Sequence, residues 1–495
     1  MKQSPYSQNV EHPTKFDQTW AVGEQVSLLV EKAILGGKFM GTAPDGRVVW
    51  LKSHKALAIG DKVSGQVSKV AKRSFELNVS ELVPSLDRQS PFCPHIERCG
   101  GCPWQALSEN SQIEALTRDI GRMMTRSLGQ EVRWVDPFID HGERWRCTAR
   151  LHSNENGVLG FFGPNGLFDL NHCPIFSETL NRQLQSVKSR LSPLLREGSA
   201  DIRLSVAEDS QSGTISLSLF GIWTADILEK IEHTLSTLLE ACESIHGITL
   251  EAHTPQLIER GTHTHHRSTH PQLKRGRIKH QRHHRSNRAT KHKGQRRLKS
   301  PSPKVEAIHR SWGYAYNDLP SVAHPAQAFM QAHQRGNQAL VDMVVAGADE
   351  SQRILELYAG SGNFTIPLAQ AKVSREILAL EYDQRAVSAL NMVAAERGLK
   401  VTAQALSIDQ IPAGNFDHVI LDPPRSGAAN IIEALAHSEA TYITYISCHP
   451  AALARDLEVL STHGWSLDYA RLFHLFPHSG HGEVYCRLSQ TQTTS

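Results

Sequence analysis

The chain has 495 residues, which is long enough for two to four domains. Hydrophobic residues make up 40% and charged residues 21% of it, as in ordinary globular proteins, and no long apolar run predicts a transmembrane helix. The N-terminal residues also lack the apolar core of a secretory signal. We therefore expect a cytoplasmic monomer with no membrane association.

The net charge of +3 hides an uneven distribution of charged residues. Residues 260–300 contain 14 Lys or Arg and no Asp or Glu, and the rest of the chain has 39 basic against 50 acidic residues. Nucleic-acid binding would therefore use local basic patches or this segment. Residues 255–304, which are rich in His and Arg, are predicted to be disordered. They are either an RNA-binding arm or a tolerated insertion.

Short alternating strands with Gly and Asp-Gly turns occupy residues 22–86. This pattern predicts a small OB-like β-barrel, which is a common platform for single-stranded nucleic acid. A purely structural barrel is the alternative, since fold alone does not determine function.

Clustered cysteines follow in residues 87–178. In a reducing compartment such clusters indicate metal binding or catalysis rather than disulfides. Three closely spaced thiols and one distant thiol can complete a four-cysteine site for either zinc or a 4Fe–4S cluster. The four cysteines with this spacing are Cys93, Cys99, Cys102 and Cys173. Cys147, Cys242 and Cys486 lack it and are expected to be packing residues.

Residues 179–323 contain two paired strands and an amphipathic helix, which predict a central α+β domain. From 324 to 495, strand-like apolar runs alternate with helical segments that end in Gly. This alternation predicts a parallel, doubly wound sheet of the α/β class.

A cofactor-binding loop is predicted in LELYAGSGNFTIPLA, residues 355–369. Gly360 and Gly362 permit a tight turn and close approach to a ligand, and Glu381, at the end of the next strand, stands where an acid reaches ribose hydroxyls. A nicotinamide dinucleotide is the alternative ligand, but Thr365 interrupts the full glycine motif. S-adenosylmethionine fits this loop better because it has no phosphate that the helix end would have to bind.

A second motif, LDPPRSG at residues 421–427, places Asp422 at the carboxyl edge of the sheet beside that loop. Amino-methylating enzymes often have an aromatic residue after such prolines, so Arg425 argues against that class. A rigid turn without a catalytic role is the alternative.

Cys448 lies between an apolar strand and a helix that begins near Pro450. A thiol near a helix N-terminus is expected to have a lowered pKa and to be a nucleophile. Addition of the thiolate to C6 of uracil would activate C5 toward a methyl-sulfonium group. Glu483, with His481 nearby, is the candidate base for the C5 proton. A buried packing cysteine and an exposed glutamate are the alternatives.

Together, these motifs resemble the RNA 5-methyluridine methyltransferases, in particular the bacterial iron–sulfur enzymes that act on large-subunit ribosomal RNA. The resemblance covers nearly the whole chain outside residues 255–304. It implies a class I, Rossmann-like methyltransferase domain, an N-terminal TRAM domain, an RNA partner, and a 4Fe–4S cluster, which we expect to be structural, on the four clustered cysteines. It also implies Cys448 as nucleophile and Glu483 as base. The positions that it assigns to S-adenosylmethionine are Gln331, Tyr358, Asn363, Glu381 and Asp422.

The sequence departs from the family pattern at two positions. His449 follows the nucleophile where Asn is usual, and Ala405 stands where an Asn often contributes a cofactor contact. The motifs do not identify the RNA, but the barrel and the cysteines favour ribosomal over transfer RNA. A non-catalytic RNA-binding or ribosome-assembly factor is a further alternative. DNA cytosine methylation is disfavoured because Ser447, rather than Pro, precedes the thiol.

Overall fold

The computed structural model describes most of the chain. The described residues are 20–140, 142–206, 213–221, 223–243, 245, 247–255, 305–313, 316–318, 323–325, 330–409, 411–412 and 414–490. The segment predicted to be disordered, residues 255–304, lies outside them except for Pro255. Within the described part, no helix is long and apolar enough to traverse a bilayer.

The N-terminal strands form one six-stranded sheet. They are β1 (Gln25–Leu29), β2 (Lys32–Ile34), β3 (Lys38–Thr42), β4 (Val48–Lys52), β5 (Lys62–Val70) and β6 (Ser74–Val83). Their order is β1-β5-β6-β4-β3-β2. Alternate side chains enter the core: in β5, Val63 and Val67 are buried whereas Lys62 and Gln66 are exposed. The assignment of this sheet to a TRAM-type barrel stays a prediction.

The middle of the chain forms a seven-stranded sheet with two long helices against it. Its elements, with those leading into it, are α1 (Ile96–Cys99), α2 (Glu109–Leu128), β7 (Trp134–Phe138), β8 (Thr148–Ser153), β9 (Leu159–Gly163), β10 (Gly166–Asp169), α3 (Glu178–Leu191), β11 (Ser199–Val206), β12 (Gly213–Phe220), α4 (Ala225–Ala241), β13 (Gly247–Pro255) and β14 (Val305–Gly313). The strand order is β10-β9-β8-β11-β12-β13-β14. Leu184 of α3 and Leu235 of α4 are fully buried in the core of this sheet.

The C-terminal part is an eight-stranded α/β unit, preceded by a two-stranded ribbon. Its elements are β15 (Tyr316–Asp318), β16 (Ala323–Pro325), α5 (Gln334–Gly347), β17 (Arg353–Leu357), α6 (Thr365–Ala371), β18 (Glu376–Glu381), α7 (Gln384–Glu396), β19 (Val401–Ala405), β20 (His418–Leu421), α8 (Ile432–Ala436), β21 (Tyr442–Ser447), α9 (Pro450–Thr462), β22 (Trp465–Phe476) and β23 (His481–Gln490). The order is β19-β18-β17-β20-β21-β23-β22-β7. The five strands from β19 to β21 are parallel, which confirms the predicted α/β class.

An element from outside the C-terminal part completes this sheet. β7 pairs with β22 at its edge, and α2 packs against α9. Leu116 and Ile120 of α2 are fully buried in the same core as Leu453 of α9. The predicted iron–sulfur region therefore contributes strands to two different sheets: β7 joins the C-terminal sheet, and β8, β9 and β10 join the central sheet.

Candidate active site and cysteine cluster

Three candidate side chains meet at one edge of the C-terminal sheet. Asp422 follows β20 and Cys448 follows β21, which are adjacent parallel strands. β23 runs antiparallel to β21, so its first residues lie at the same edge. The register pairs Ser447 with Val484, so the next position places Cys448 opposite Glu483. The structure thus brings together the predicted nucleophile, the predicted base and Asp422.

Burial strongly perturbs the two carboxyl groups at this edge. Glu483 is only 2% exposed, which excludes the alternative of an exposed glutamate. Among the described residues, its Oε1 atom has no hydrogen-bond partner. Burial, followed by the neighbouring Asp422, raises the pKa of Glu483 well above its ordinary value. Burial also raises the pKa of Asp422 to about 7. Because two neighbouring carboxylates repel each other, ionisation of both at once is unfavourable. The pair therefore keeps one proton to a higher pH than either acid would in water.

The expectation of a lowered pKa for Cys448 is wrong in the free protein. Burial, more than any other cause, raises the pKa of this thiol to about 11, and the charges of Glu483 and Asp422 also raise it. The neighbouring charge of Arg425 lowers the pKa. Cys448 precedes His449, the N-cap of α9, so the helix end is close. Desolvation and two carboxylates outweigh the helix N-terminus here.

His449 takes part in the start of α9 although its residue type departs from the family pattern. Its Nδ1 atom accepts a hydrogen bond from the Ala452 main-chain N–H at 3.2 Å. An Asn side chain offers an acceptor in the same role, so the departure keeps the cap. His481 lies near Arg425 and His449, and its pKa is lowered, first by burial and then by these two residues.

The glycine-rich loop after β17 has the backbone conformation that its sequence predicts. Gly360 and Gly362 have φ angles of 57° and 95°, and Tyr358, which lacks the freedom of glycine, has φ 62°. A Cβ atom on Gly362 would lie 2.5 Å from Leu390, whereas one on Gly360 would meet open space. The loop therefore packs closely on one side and leaves room for a ligand on the other.

Glu381 is fixed beside this loop by main-chain hydrogen bonds. Gly360 N–H donates to its Oε2 atom at 2.9 Å, and the N–H groups of Tyr382 and Asp383 donate to Oε1. A carboxylate has about four acceptor positions, so Glu381 keeps capacity for a ligand hydroxyl. This places it where the sequence predicts, at the carboxyl end of β18.

Of the other predicted cofactor positions, Tyr358 and Asn363 belong to the same loop, and Gln331 lies before α5. Asn363 exchanges two amide hydrogen bonds with Asn337, at 2.8 and 3.0 Å, so α5 lies directly against the loop. Gln331 lies just before α5, where its main-chain oxygen accepts a hydrogen bond from the Cys147 thiol. The Tyr358 hydroxyl donates to Asn430 at 3.4 Å.

Two buried acids near the site were not identified from sequence. Glu356, in β17, accepts a 2.6 Å hydrogen bond from Thr365, and burial raises its pKa to about 8. Asp456, in α9, accepts hydrogen bonds from Ala428 N–H at 2.7 Å and from the Tyr445 hydroxyl at 2.6 Å, which connects α9 to the segment after Asp422. An acid inside an apolar strand or on the apolar face of a helix is the signal that could have indicated both.

The four clustered cysteines also come together. Burial raises the pKa of Cys102 to about 12, with further contributions from Cys173, then Cys99, then Cys93. The four thiols are therefore neighbours. Gln105 accepts from the main-chain N–H of Cys93 at 3.1 Å, and Asn181 accepts from that of Cys173 at 2.9 Å. Outside the cluster, Cys147 and Cys486 are buried and Cys242 is half-buried.

Comparison with known proteins finds similarity over most of the chain. Residues 404–491 match the family described as tRNA (Uracil-5-)-methyltransferase, and residues 324–442 match the methyltransferase small domain. The Erwinia tasmaniensis protein named 23S rRNA (uracil(1939)-C(5))-methyltransferase RlmD is 26% identical over 467 residues, which cover 88% of this chain and 92% of that protein. A Vibrio cholerae protein of the same name is 26% identical over 421 residues, covering 82% and 83%.

A solved structure extends the similarity to the fold. The crystal structure of Pyrococcus abyssi tRNA (uracil-54, C5)-methyltransferase in complex with S-adenosyl-L-homocysteine has a TM-score of 0.63 and 20% identity to this chain. The match covers 94% of this chain and all of that one. These findings confirm the resemblance that the motifs indicate: the chain is similar to proteins named as RNA uracil-C5 methyltransferases.

Proposed function

We propose that this protein transfers the methyl group of S-adenosylmethionine to C5 of a specific uridine in 23S ribosomal RNA. The observation that carries the proposal is the position of Glu483, buried with an unpartnered carboxylate oxygen, opposite Cys448 at the carboxyl edge of the sheet. A buried hydrogen-bond acceptor without a partner destabilises the folded protein unless a ligand donates a hydrogen bond to it. Relatives named for the same reaction support the assignment.

The proposed mechanism forms and then breaks a covalent bond between Cys448 and the base. The Cys448 thiolate adds to C6, and the electron pair moves to C5 and the adjacent carbonyl. S-adenosylmethionine supplies an electrophilic methyl group to C5 and leaves as the neutral thioether. Glu483 then removes the proton from C5, the double bond forms again, and the sulfur leaves C6 as thiolate.

The residues around the glycine loop fit S-adenosylmethionine. The open space at Gly360 leaves room for a ligand against the backbone. The Ser361 hydroxyl is buried and has no hydrogen-bond partner among the residues that the structure describes. Asp422 and Glu483 suit a ligand that carries a positive sulfonium, and its charge would lower the pKa of the thiol. We assign binding of this cofactor to Gln331, Tyr358, Asn363, Glu381 and Asp422.

We assign Cys93, Cys99, Cys102 and Cys173 to a structural 4Fe–4S cluster. Cys102 lies near the other three cysteines, so all four can hold one group, and their spacing in the sequence fits an iron–sulfur cluster. Metal analysis after anaerobic purification tests this: four iron atoms per chain are expected, and stoichiometric zinc without iron would overturn it.

The choice of ribosomal RNA is tested by mapping 5-methyluridine in total RNA from a deletion strain. Loss of one site in 23S ribosomal RNA is expected, and loss of a transfer RNA site would instead support the transfer RNA alternative. We expect the protein to act as a monomer in the cytoplasm, and size-exclusion chromatography with light scattering measures the mass.

The catalytic proposal is tested by replacing the nucleophile. Cys448→Ala should abolish methyl transfer to uridine-containing RNA and leave S-adenosylmethionine binding intact. Cys242→Ala, at a half-buried thiol outside the site, is the matched control and should keep full activity. Activity of the Cys448→Ala protein would contradict the covalent mechanism, and absence of methyl transfer by the wild-type protein would favour a non-catalytic factor.

A further inference from the structure

Two helix C-termini converge at a point away from the active-site edge. α8 ends at Ala436 and α9 ends at Thr462. The residues that follow, His437 and His463, are the C-cap residues of the two helices. Glu433, in the first turn of α8, lies beside them. α9 begins next to Cys448 and is 13 residues long, so its far end is about 20 Å from the thiol.

The hydrogen bonds of the two histidines determine which ring nitrogen is free. The Nδ1 atom of His437 lies 2.8 Å from the carbonyl oxygen of Glu433, and that of His463 lies 2.8 Å from the carbonyl oxygen of Val459. A carbonyl oxygen only accepts hydrogen bonds, so Nδ1 carries the hydrogen in both rings. In the neutral form, both Nε2 atoms then have a lone pair, as in histidines that bind metals.

Ligand atoms of these three residues lie close to one another. One ligand atom from each of Glu433, His437 and His463 lies within 4.8 Å of the other two. His463 Nε2 is 3.9 Å from Glu433 Oε2, and the two imidazole rings are 4.6 Å apart. Ligands around a tetrahedral zinc ion are about 3.4 Å apart, a difference that small rotations of exposed side chains can close.

We propose that Glu433, His437 and His463 bind a divalent transition-metal ion, with zinc as the best-fitting ion. Imidazole and carboxylate ligands suit zinc, whereas calcium and magnesium require an all-oxygen set. The negative ends of both helix dipoles favour a cation at this point. Three protein ligands leave one position for water, and the ion would connect the ends of α8 and α9 without contact with the reacting base.

Histidine modification resolved by mass spectrometry tests the site in the full-length protein loaded with its own cofactors. Diethyl pyrocarbonate modifies unprotonated imidazole nitrogens, so bound zinc should protect His437 and His463 with the same concentration dependence. At zinc ten times above the Kd, modification should be about tenfold slower. Because mass spectrometry gives the modification rate of each histidine, His437 and His463 are measured separately from the histidines of residues 255–304. His54 and His233, which are exposed, serve as internal controls and should not be protected.

Single substitutions distinguish a shared ion from independent effects. His463→Ala should abolish zinc protection of His437, and Glu433→Gln should shift protection of both histidines to higher zinc concentrations. His233→Ala should leave both protection curves unchanged. The proposal is overturned if zinc protects neither histidine, protects only one, or protects His437 equally in the His463→Ala protein. These side chains are exposed, so the variants should fold, which circular dichroism measures.

Discussion

Glu483 faces Cys448 where β21 meets β23, and it is the nearby charge that raises the pKa of the thiol most, after burial itself. The proposed base therefore keeps the nucleophile protonated in the free protein. A thiol whose pKa is about 11 is a weak nucleophile near neutral pH. Thiolate formation then depends on a change in local charge, such as that on cofactor binding.

The first prediction concerns alkylation of Cys448 by iodoacetamide, measured by mass spectrometry. Below a pKa of about 11, the thiolate fraction rises with pH, so alkylation should accelerate about tenfold per pH unit between pH 7 and 10. Glu483→Gln removes a negative charge and should increase the rate severalfold at pH 9. Glu376→Gln, on an exposed residue of β18, should have no effect. A rate that is already maximal at pH 7 would show that the pKa is lowered instead.

The second prediction concerns release of the RNA. In Glu483→Gln, the thiol can still add to C6 and C5 can still be methylated, but the C5 proton leaves slowly. We expect turnover to fall at least a hundredfold, as is typical of the loss of a general base, and a covalent protein–RNA adduct to accumulate on denaturing gels. The double variant with Cys448→Ala should form no adduct. Rapid turnover by Glu483→Gln would assign proton removal to another group.

The third prediction concerns the glycine loop. Gly362→Ala places a Cβ 2.5 Å from Leu390 and forces a non-glycine residue to φ 95°. The resulting strain, on the order of 1–3 kcal/mol, should weaken S-adenosylmethionine binding by about tenfold or more in calorimetry. Gly398→Ala, at φ 63° after α7 and in open space, is a matched control. It should lower stability slightly and leave the Kd unchanged.

The fourth prediction concerns His474, which is 1% exposed and whose two ring nitrogens have no hydrogen-bond partner in the described part of the chain. Burial lowers its pKa to about 3, so between pH 6.5 and 3 the unfolded chain binds a proton that the folded protein does not. The stability contributed by neutral His474 therefore decreases as the pH falls. From pH 6 to pH 5, the free energy of unfolding of His474→Leu should rise by about 1 kcal/mol relative to wild type.

Urea denaturation at the two pH values measures this difference. His54→Leu, at an exposed position, should show no pH-dependent change relative to wild type. An unchanged difference for His474→Leu would mean that the imidazole binds protons equally in the folded and unfolded states, which contradicts a lowered pKa.

Much of the active site could be predicted because it lies where strands end. Asp422 and Cys448 each follow an apolar run directly, and parallel strands bring such positions to one edge. The pKa of Cys448 could not be predicted in this way. The direction of its shift depends first on burial and then on the carboxylates of Glu483 and Asp422. The register that places Glu483 opposite the thiol is a property of the paired sheet.

The position of β7 illustrates the same limit for the fold. Trp134 pairs with Ala470, and nothing in either local sequence specifies that partner. Glu356 was missed because a single acid in an apolar strand is a weak signal until its partner Thr365 is known. Local patterns thus predicted the helices and strands and the edge of the sheet where the site lies. The charges that surround each group depend instead on pairing between segments distant in sequence.

The β13–β14 hairpin has a practical consequence for protein engineering. Pro255 and Val305 are paired neighbours at the ends of these strands, so the chain leaves and re-enters the sheet at one place. The cost of closing such a connection grows only slowly with its length. A short turn could therefore replace residues 256–304 and keep the register, and a reporter domain could be grafted at the same position without passing through the catalytic sheet.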